Sequence, residues 1–424
     1  MDNTSGGTNN SGILSADVAS RINLNNQTIT GGTLNGGGTF TGGGNFNNGV
    51  SVTGTLDLTG SSLTTTGGLT LNGQANITNN QGLYLNGDQT IGGTSTLSLG
   101  TLASGSTAST VGNLLIYGTA TVVPTITVDA LNGSLQGYAY GGTLVNQGTL
   151  QASGAGRSLS ISTGLVNNGA IVANGAGSTV TVSSSTTGNG TVSTGTGGTV
   201  TFSGGSAIQQ AAGTSQIDGN VNLGSGSTFT VAGGTLKGTG TVTGNVVSNG
   251  GTVAPGDSPG TLTVNGNFTQ NSPAALEIEF ANTAHDTLVV SGNAALNQGL
   301  LNVSFLGTTV NSSSFSTFSF LSYGGTLSGS TTSDPLMLFS NEFKSATYDS
   351  SYGITNGHYV NGPAGPYSSG SIYLLTQNTG SLLITPKQIS PAAAPEPSQY
   401  AAFAIGLLGL GALALKARKR ATAA

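Results

Sequence analysis

The sequence has no cysteine and no tryptophan, and only 5% of its 424 residues are charged. The absence of cysteine excludes disulfide bonds, thiolate chemistry and cysteine-based zinc sites, so the stability of the chain must come from packing. The net charge is −5, and four of the nine basic residues lie together close to the end of the sequence. The rest of the chain has no basic patch, which excludes nucleic acid as a partner.

Carboxylates are few and widely separated in the sequence, which argues against an enzyme. Lyases and glycosidases need clustered acids, usually with cations. Glu277 and Glu279 share one face of a predicted strand, which we interpret as a solvated face, and His285-Asp286 has no accompanying Gly-x-Ser-x-Gly segment. The other acidic residues of the body are scattered, for example at Asp57, Asp88, Asp129, Asp218 and Asp257. We therefore predict no catalytic residue, no metal site and no cofactor.

Glycine, by contrast, is abundant, with 72 residues, and Ser, Thr and Asn accompany it. Such compositions are often disordered, but 35% of the residues here are hydrophobic, and many of them alternate with Thr, Ser or Asn. Alternation with a period of two predicts strands with one buried face. The body shows no helical period, so the predicted fold class is all-β.

A short unit, Gly-Thr followed by Leu, Val or Phe, recurs along the body from about residue 28. A longer segment, residues 144–150, returns as residues 165–171, a shift of about 21 positions. Repeats of this length are typical of stacked architectures, and Gly and Asn suit the positive φ of tight corners. We predict a parallel β-solenoid with short strands in each coil. The alternative is an array of β-sandwiches, which also have short alternating strands.

Pairs of apolar residues that flank one polar residue define the predicted inner face of the coils, with about 1.5–3 kcal/mol from each buried side chain before entropy. The residues between them, such as Ser160, Thr181, Thr201 and Thr263, are predicted to face outward. Asn side chains on successive coils should form ladders along the axis. At about 4.8 Å per coil, residues 30–385 would form a rod of roughly 70 Å. The inward pairs are Leu56 and Leu58, Leu69 and Leu71, Leu83 and Leu85, Leu97 and Leu99, Leu159 and Ile161, Val180 and Val182, Val200 and Phe202, Phe229 and Val231, and Leu262 and Val264.

The segment 251–270 reads Gly-Thr-Val-Ala-Pro-Gly-Asp-Ser-Pro-Gly-Thr-Leu-Thr-Val-Asn-Gly-Asn-Phe-Thr-Gln and is followed by the alternating run Leu-Glu-Ile-Glu-Phe at 276–280. Over about residues 250–306 the chain resembles the passenger-associated repeat of autotransporter adhesins. This resemblance implies a right-handed parallel β-helix that is carried to the cell surface.

The predicted boundaries follow these patterns. Residues 1–27 form a loose segment or a cap, residues 28–311 the solenoid, and residues 386–399 a linker. Aromatic residues concentrate in residues 312–385, which we interpret as a C-terminal β cap region, because an open end of the stack would template aggregation. Closing strands are predicted at residues 372–375 and 382–384.

The tail, residues 390–424, has an uncharged apolar run that begins at Tyr400 and ends before a basic cluster. As a helix this run is roughly 24 Å long against a bilayer core of about 30 Å, and Lys416 can extend the span by snorkelling. We predict a single C-terminal transmembrane helix with a cytoplasmic basic end; a buried globular helix is the alternative. The predicted span residues are Tyr400, Phe403, Ile405, Leu407, Leu408, Leu410, Leu413 and Leu415, and the basic end is Lys416, Arg418, Lys419 and Arg420.

The triplet Pro395, Glu396, Pro397 precedes this apolar run and basic cluster. The order of the three features resembles the PEP-CTERM sorting signal of Gram-negative bacteria over about the last 35 residues. The resemblance implies that an exosortase, a membrane-embedded transpeptidase-like protease, recognises the triplet. It also implies delivery of the body to the cell surface or to an exopolysaccharide matrix.

Taken together, these patterns predict a non-enzymatic structural or adhesive surface protein. Its expected partners are an exosortase-type enzyme, the membrane and a surface or matrix polysaccharide. The alternative is a β-helix polysaccharide lyase or glycosidase that acts on exopolysaccharide. Export normally requires a leader, but residues 1–7 have neither a basic nor an apolar region; we expect a misassigned start or a fragment rather than an unusual route.

Overall fold

The fold is a parallel β-solenoid of about 13 turns. The structure, a computed structural model, describes residues 9–328 and the later strands 358–361, 371–378 and 381–388. Within that range it leaves out residues 11, 25, 103–108, 138–140, 205–206, 226, 281–283, 298 and 306–317. The described residues contain no helix. Each turn contributes one strand to each of three faces, which we call A, B and C. The predicted all-β solenoid is confirmed, and the β-sandwich alternative is wrong because the strands of successive turns pair in parallel.

Face A is a single sheet of 18 strands that extends along the whole stack. Its strands, in spatial order, are Asn9–Asn10, Gln27–Thr30, Gly44–Asn47, Leu63–Thr65, Gly82–Asn86, Gly112–Tyr117, Asn132–Gly137, Ser158–Ser162, Thr179–Val182, Thr199–Phe202, Asn220–Leu223, Thr241–Thr243, Thr261–Asn265, Thr287–Val290, Phe318–Tyr323, Ser381–Gln388, Ser371–Asn378 and His358–Asn361.

Faces B and C are each divided into two sheets near residues 187–214. Face B consists of Ile13–Ser15, Thr33–Asn35, Val50–Val52, Leu69–Leu71, Gln89–Gly93, Thr119–Val122, Thr143–Asn146, Gly164–Asn167 and Thr186–Thr187, then Ala207–Gln210, Thr228–Val231, Asn245–Ser248, Phe268–Asn271, Ala294–Asn297 and Leu327–Ser328. Face C consists of Arg21–Asn23, Thr39–Thr41, Thr55–Asp57, Ala75–Ile77, Thr96–Leu99, Thr127–Ala130, Thr149–Ser153, Ala170–Asn174 and Thr191–Thr194, then Thr214–Gln216, Thr235–Gly238, Thr252–Pro255, Ala275–Phe280 and Leu300–Phe305.

The register between turns confirms the repeat that the sequence shows. Leu144 pairs with Leu165, and Leu150 pairs with Ile171. Turn length nevertheless varies, because loops are inserted at the corners. The backbone N–H of Thr119 donates to the Asp88 side chain 31 residues earlier, whereas a side-chain bond joins two other successive turns 17 residues apart.

The core is the narrow space between the three faces. All nine predicted inward pairs are buried, as are four further phenylalanines of the core, Phe40, Phe46, Phe268 and Phe320. The predicted outward residues alternate with them: Ser160 is exposed, and Thr181, Thr201 and Thr263 are half-buried. Both predictions are confirmed, since the pleat of a strand sends successive side chains to opposite faces.

The predicted asparagine ladder is present at a buried corner between faces B and C. The Nδ2 group of Asn146 donates to Oδ1 of Asn167 on the next turn at 2.8 Å. A second ladder on the surface joins Asn249, Asn271 and Asn297, with amide-to-amide distances of 2.7 Å. Positive φ at corner positions such as Asn48 (57°) and Gly49 (75°) explains why these two residue types recur there.

The two ends of the stack differ from the sequence-based boundaries. Residues 9–23 already form parallel strands that pair with the next turn, ahead of the predicted start at residue 28. These strands are held by backbone pairing and have little apolar alternation, so the pattern did not reveal them. At the other end, Phe318–Tyr323 pairs in parallel with Thr287–Val290 and then antiparallel with Ser381–Gln388. Both predicted closing strands lie within the antiparallel strands at this end.

Candidate functional site

The predicted sorting signal, membrane span and basic end all belong to residues 390–424. These residues lie outside the described part of the chain, so their roles stay predictions. Among the residues that the structure describes, no helix is long and apolar enough to cross a membrane. The described residues place the candidate sites on the surface of the solenoid.

Face A carries long ranks of uncharged polar side chains on its outer surface. One rank consists of the outward residues Asn113, Ser134, Ser160, Thr181, Thr201, Asn222 and Thr243, each paired with the next across neighbouring turns. Parallel pairing in register places such residues about 4.8 Å apart. The surface thus presents hydroxyl and amide groups at a regular interval on a rigid sheet.

The first four residues of this rank, from Asn113 to Thr181, line a trough of about 560 Å³. Small residues such as Gly133, Ser134 and Ser158 line it, together with longer amides such as Asn113 and Gln136. The Gln136 amide donates to the Ser134 hydroxyl at 2.7 Å, so part of the lining is held in place. The lining has no charged side chain, which makes this trough chemically suited to uncharged, hydroxyl-rich molecules.

A pair of tyrosines lies beside the trough on the same face. The rings of Tyr84 and Tyr117 have their centroids 6.4 Å apart and are tilted by 35°. Tyr84 pairs with Leu115, which in turn pairs with Gln136 of the trough lining. The tyrosine pair and the trough are therefore contiguous.

Gly82 explains how the Tyr84 ring approaches the sheet. A Cβ atom at Gly82 would meet Leu115 Cδ1 at 2.7 Å and Tyr84 Cε2 at 3.0 Å. The absence of a side chain at this position allows the ring and the leucine to lie over the backbone. The Tyr84 ring and Leu115 therefore form a low apolar surface, and the phenol groups of the tyrosine pair lie next to the polar trough.

A second depression, of about 480 Å³, follows the outer surface where face C meets face A. It brings together carboxylates that the sequence separates, namely Asp257, Glu277, Glu279 and Asp286, with one cation, Lys237. We call it the carboxylate groove. The sequence-based expectation of scattered acids does not hold here, because stacking places residues of successive turns side by side. Glu277 is exposed and Glu279 half-buried, so the predicted solvated strand face is only partly solvated.

Asp286 is the most unusual group in the carboxylate groove. It is only 2% exposed, and its two carboxylate oxygens accept backbone N–H groups from Gly260 at 2.9 Å and Glu279 at 2.8 Å. Burial raises its pKa to about 6, against the lowering effect of these two hydrogen bonds. Gly256, at φ 92°, permits the close approach, since a Cβ there would meet Asp286 Oδ1 at 2.5 Å. A carboxyl group with this pKa can exchange a proton near neutral pH.

Two of the remaining charged residues of the groove, Lys237 and Asp257, form an ion pair. Lys237 Nζ lies 3.3 Å from Asp257 Oδ1, and the Gln216 amide donates to Asp218 at 2.7 Å and to Asp257 at 2.9 Å. His285, next to Asp286, has its pKa lowered by burial. In the described residues no group of three or more His, Asp or Glu side chains could hold a metal ion.

Comparison with known proteins adds no relative to this picture. No protein-family model matches the chain, and no curated protein is detectably similar to it in sequence.

The sequence patterns did not reveal the tyrosine pair or the carboxylate groove. Such patterns do not show which residues of different turns lie at the same height along the solenoid axis. Tyr84 and Tyr117 come from neighbouring turns that contain a long corner insertion, so no fixed period relates them. The carboxylate groove could have been found, because Lys237 and Glu277 lie at outward positions of face C strands about two coil lengths apart.

Proposed function

We propose that this chain is a non-enzymatic structural and adhesive protein of the cell surface, and that face A binds exopolysaccharide. The observation that supports the proposal is the rank of uncharged hydroxyl and amide side chains, from Asn113 to Thr243, that points outward from successive parallel strands of face A. Each group can form one weak hydrogen bond with a sugar hydroxyl. A long polymer contacts many turns at once, so weak contacts combine through effective concentration.

The binding test uses the full chain and exopolysaccharide purified from the native host. We expect the polymer to retard the protein in affinity electrophoresis. Because the contacting groups are uncharged, retardation should change little between low and physiological salt, unlike binding through surface charges. Absence of retardation by any matrix polysaccharide would refute the adhesive function.

The delivery route forms a second part of the proposal and rests on the two resemblances. We propose a right-handed coil that an exosortase-type enzyme releases or transfers to the surface. Proline fixes φ and biases the preceding residue away from helix, so Pro395-Glu396-Pro397 would present an extended substrate just outside the membrane. The apolar run would set its depth, and the basic end would hold the cytoplasmic side.

The delivery test is fractionation of the native host with an antibody against the solenoid. Changing Glu396→Ala should leave an uncleaved, membrane-held precursor. Deletion of residues 390–424 should free a folded body into the medium, because residues 9–328 have their own core. If the truncated protein stayed with the envelope as fully as the intact one, the sorting-signal hypothesis would be wrong.

The carboxylate groove supports a second candidate function, a glycosidase or lyase. Asp286, with a pKa of about 6, could act as a general acid, and Glu279 lies beside it with Lys237 in the same groove. Glycoside hydrolysis needs one protonated and one ionised carboxyl group near the scissile bond. The observed pairing of Lys237 with Asp257 also fits a purely structural role.

The two functions are separated by incubation of the full chain with host exopolysaccharide, with new reducing ends and unsaturated products measured. The adhesive proposal expects no turnover. Turnover that falls above about pH 6 and disappears in Asp286→Asn, but not in the control Asp57→Asn on an early turn, would establish the enzyme instead.

A further inference from the structure

We infer that the face A trough, together with Tyr84 and Tyr117, is a subsite for a short stretch of neutral polysaccharide. This inference rests on the proposed function and deepens it, since it states where the polymer is held and which chemical class is selected. Its observations are the uncharged trough lining, the tyrosine pair and the glycine beneath Tyr84.

The charge pattern selects the class of polymer. No side chain in the trough lining is charged, so an acidic sugar would give up hydration of its carboxylate without gaining a cation. A neutral sugar needs only donors and acceptors for its hydroxyl groups, and Asn113, Ser134, Gln136 and Ser160 supply both. The carboxylate groove, which lies in later turns where face C meets face A, has the opposite character, with four acids and one lysine.

The tyrosine pair supplies an aromatic surface, which the lining of the trough does not have. A pyranose ring has an apolar face of C–H groups, which packs favourably against an aromatic ring, and the phenol oxygen can bond a sugar hydroxyl. Tyr84 lies low over Gly82, so a sugar that rests on it can remain level with the trough floor. Asn113, Leu115 and Tyr117 are outward residues on one strand, which connects the two halves of the subsite.

The dimensions suit a short oligosaccharide segment. The trough lining extends over the four strands 112–117, 132–137, 158–162 and 179–182, which at the usual strand spacing is about 14 Å along the axis. A chain that follows the solenoid axis would meet a new outward residue at each turn. Beyond the trough the same rank continues through Thr201 and Asn222, so a longer polymer can extend onto the rest of face A.

A purely structural role for Tyr84 gives a different expectation. An aromatic ring that covers a strand glycine stabilises a sheet, and such a role predicts an effect on the melting temperature and none on ligand affinity. The experiment must therefore measure both.

The test is isothermal titration of the full chain, purified in a mild detergent, with cellohexaose, laminarihexaose and maltohexaose as neutral probes and hexagalacturonic acid as the acidic probe. We expect binding of at least one neutral probe. Tyr84→Ala and Tyr117→Ala should each weaken it about tenfold, whereas Tyr84→Phe should stay within about twofold. Ser160→Trp, which fills the trough from an exposed position, should abolish binding without a change in melting temperature.

Two matched variants complete the test. Gly82→Ala keeps both tyrosines but lifts the Tyr84 ring, so it should weaken binding as Tyr84→Ala does. Thr70→Ala, at an exposed outward position of the face B strand Leu69–Leu71, should leave the affinity unchanged. Tighter binding of the acidic probe, or unchanged affinity in Tyr84→Ala, Tyr117→Ala and Ser160→Trp while a neutral probe binds, would overturn the inference and leave the adhesive function standing. Failure of the wild-type chain to bind any probe would overturn the inference, and affinity electrophoresis with host polymer would then decide the adhesive function separately.

Discussion

At the residue scale, one buried carboxyl group holds a corner of the solenoid. Asp286 accepts two backbone N–H groups that belong to different segments, Gly260 before face A and Glu279 at the end of a face C strand. A carboxylate that bonds two backbone donors usually has a low pKa, but here burial outweighs the hydrogen bonds and raises the pKa to about 6. The group is therefore protonated more readily in the folded chain than in the unfolded one.

This shift predicts a defined dependence of stability on pH. The folded pKa of Asp286 is about 6 and the unfolded value is 3.8, so between these values the folded state binds the additional proton. The free energy of unfolding should fall as pH rises from about 4 to 6 and should level off above that range, as far as this group is concerned. Guanidinium titrations at a series of pH values should show this fall in the wild type and its loss in Asp286→Asn.

His285 must be separated from that measurement. Its pKa is lowered in the folded chain, so its own contribution to stability rises with pH up to its unfolded value near 6.5 and partly offsets the trend. His285→Gln serves as the control and should steepen the fall near pH 6. A wild-type profile that rises between pH 4 and 5, or an Asp286→Asn profile that is unchanged, would contradict the assignment.

At the element scale, buried polar side chains connect successive turns at the corner between faces B and C. Asn146, Asn167, Gln210 and Gln270 are at most 5% exposed. Each donates to the carbonyl group of the first residue of a face C strand in the following turn, namely Ala170, Thr191, Thr235 and Leu300 respectively. These bonds fix the corner where the backbone leaves one sheet for the next, and they fix the register between turns as well.

We predict that Asn167→Ala destabilises the solenoid by about 1–3 kcal/mol, the usual loss when a buried polar partner is left unsatisfied. The change removes the acceptor of the 2.8 Å bond from Asn146 and also the bond to Thr191. The measurement is the midpoint of guanidinium unfolding. The exposed Asn174→Ala is the control, with an expected change within about 0.5 kcal/mol.

The paired variant Asn146→Leu/Asn167→Leu tests the cause. It replaces both partners by apolar groups and should recover part of the lost stability, because neither amide is then left without its partner. The single variants Asn146→Leu and Asn167→Leu are measured for comparison. If the double variant lost more stability than the two single variants lose together, the ladder would not be the source of the effect.

At the scale of the whole molecule, the chain is a stack in which each turn packs on its two neighbours. Stability in such an architecture is close to a sum over turns and their interfaces. Phe202, 1% exposed on face A, packs in the core between the strands Thr179–Val182 and Asn220–Leu223. Damage at this position should therefore stay local.

We predict that Phe202→Ala, which leaves a large cavity and costs about 3–5 kcal/mol, increases amide hydrogen exchange mainly in residues 179–223. The early turns, residues 50–99, should keep their protection. Hydrogen–deuterium exchange measured by mass spectrometry checks this, with the outward Thr201→Ala as the matched control. Equal loss of protection over both regions would show that the solenoid unfolds as one unit.

The inner face and the stack could be predicted because their signals are local. Alternation of apolar and polar residues follows directly from the pleat of a strand, and it identified Leu159, Val180 and Phe202 as inward without knowledge of the partners. The echo of residues 144–150 at 165–171 gave the pairing of those two turns, since both segments fill identical positions in successive coils. The tail features at residues 390–424 are local too, and they stay predictions.

What only the tertiary structure decided is which residues of different turns meet on the surface. Spacings of 17 and 31 residues occur between equivalent positions, so sequence distance does not give height along the axis. The meeting of Tyr84 with Tyr117 depends on such an insertion, and the burial of Asp286 depends on a corner where the backbone at Gly260 comes beside the backbone at Glu279. The sequence by itself determined the inward and outward sides of each strand, because the pleat acts within the strand. The register of the stack, which combines these sides into a trough and a groove, is set by backbone hydrogen bonds between turns that no local pattern encodes.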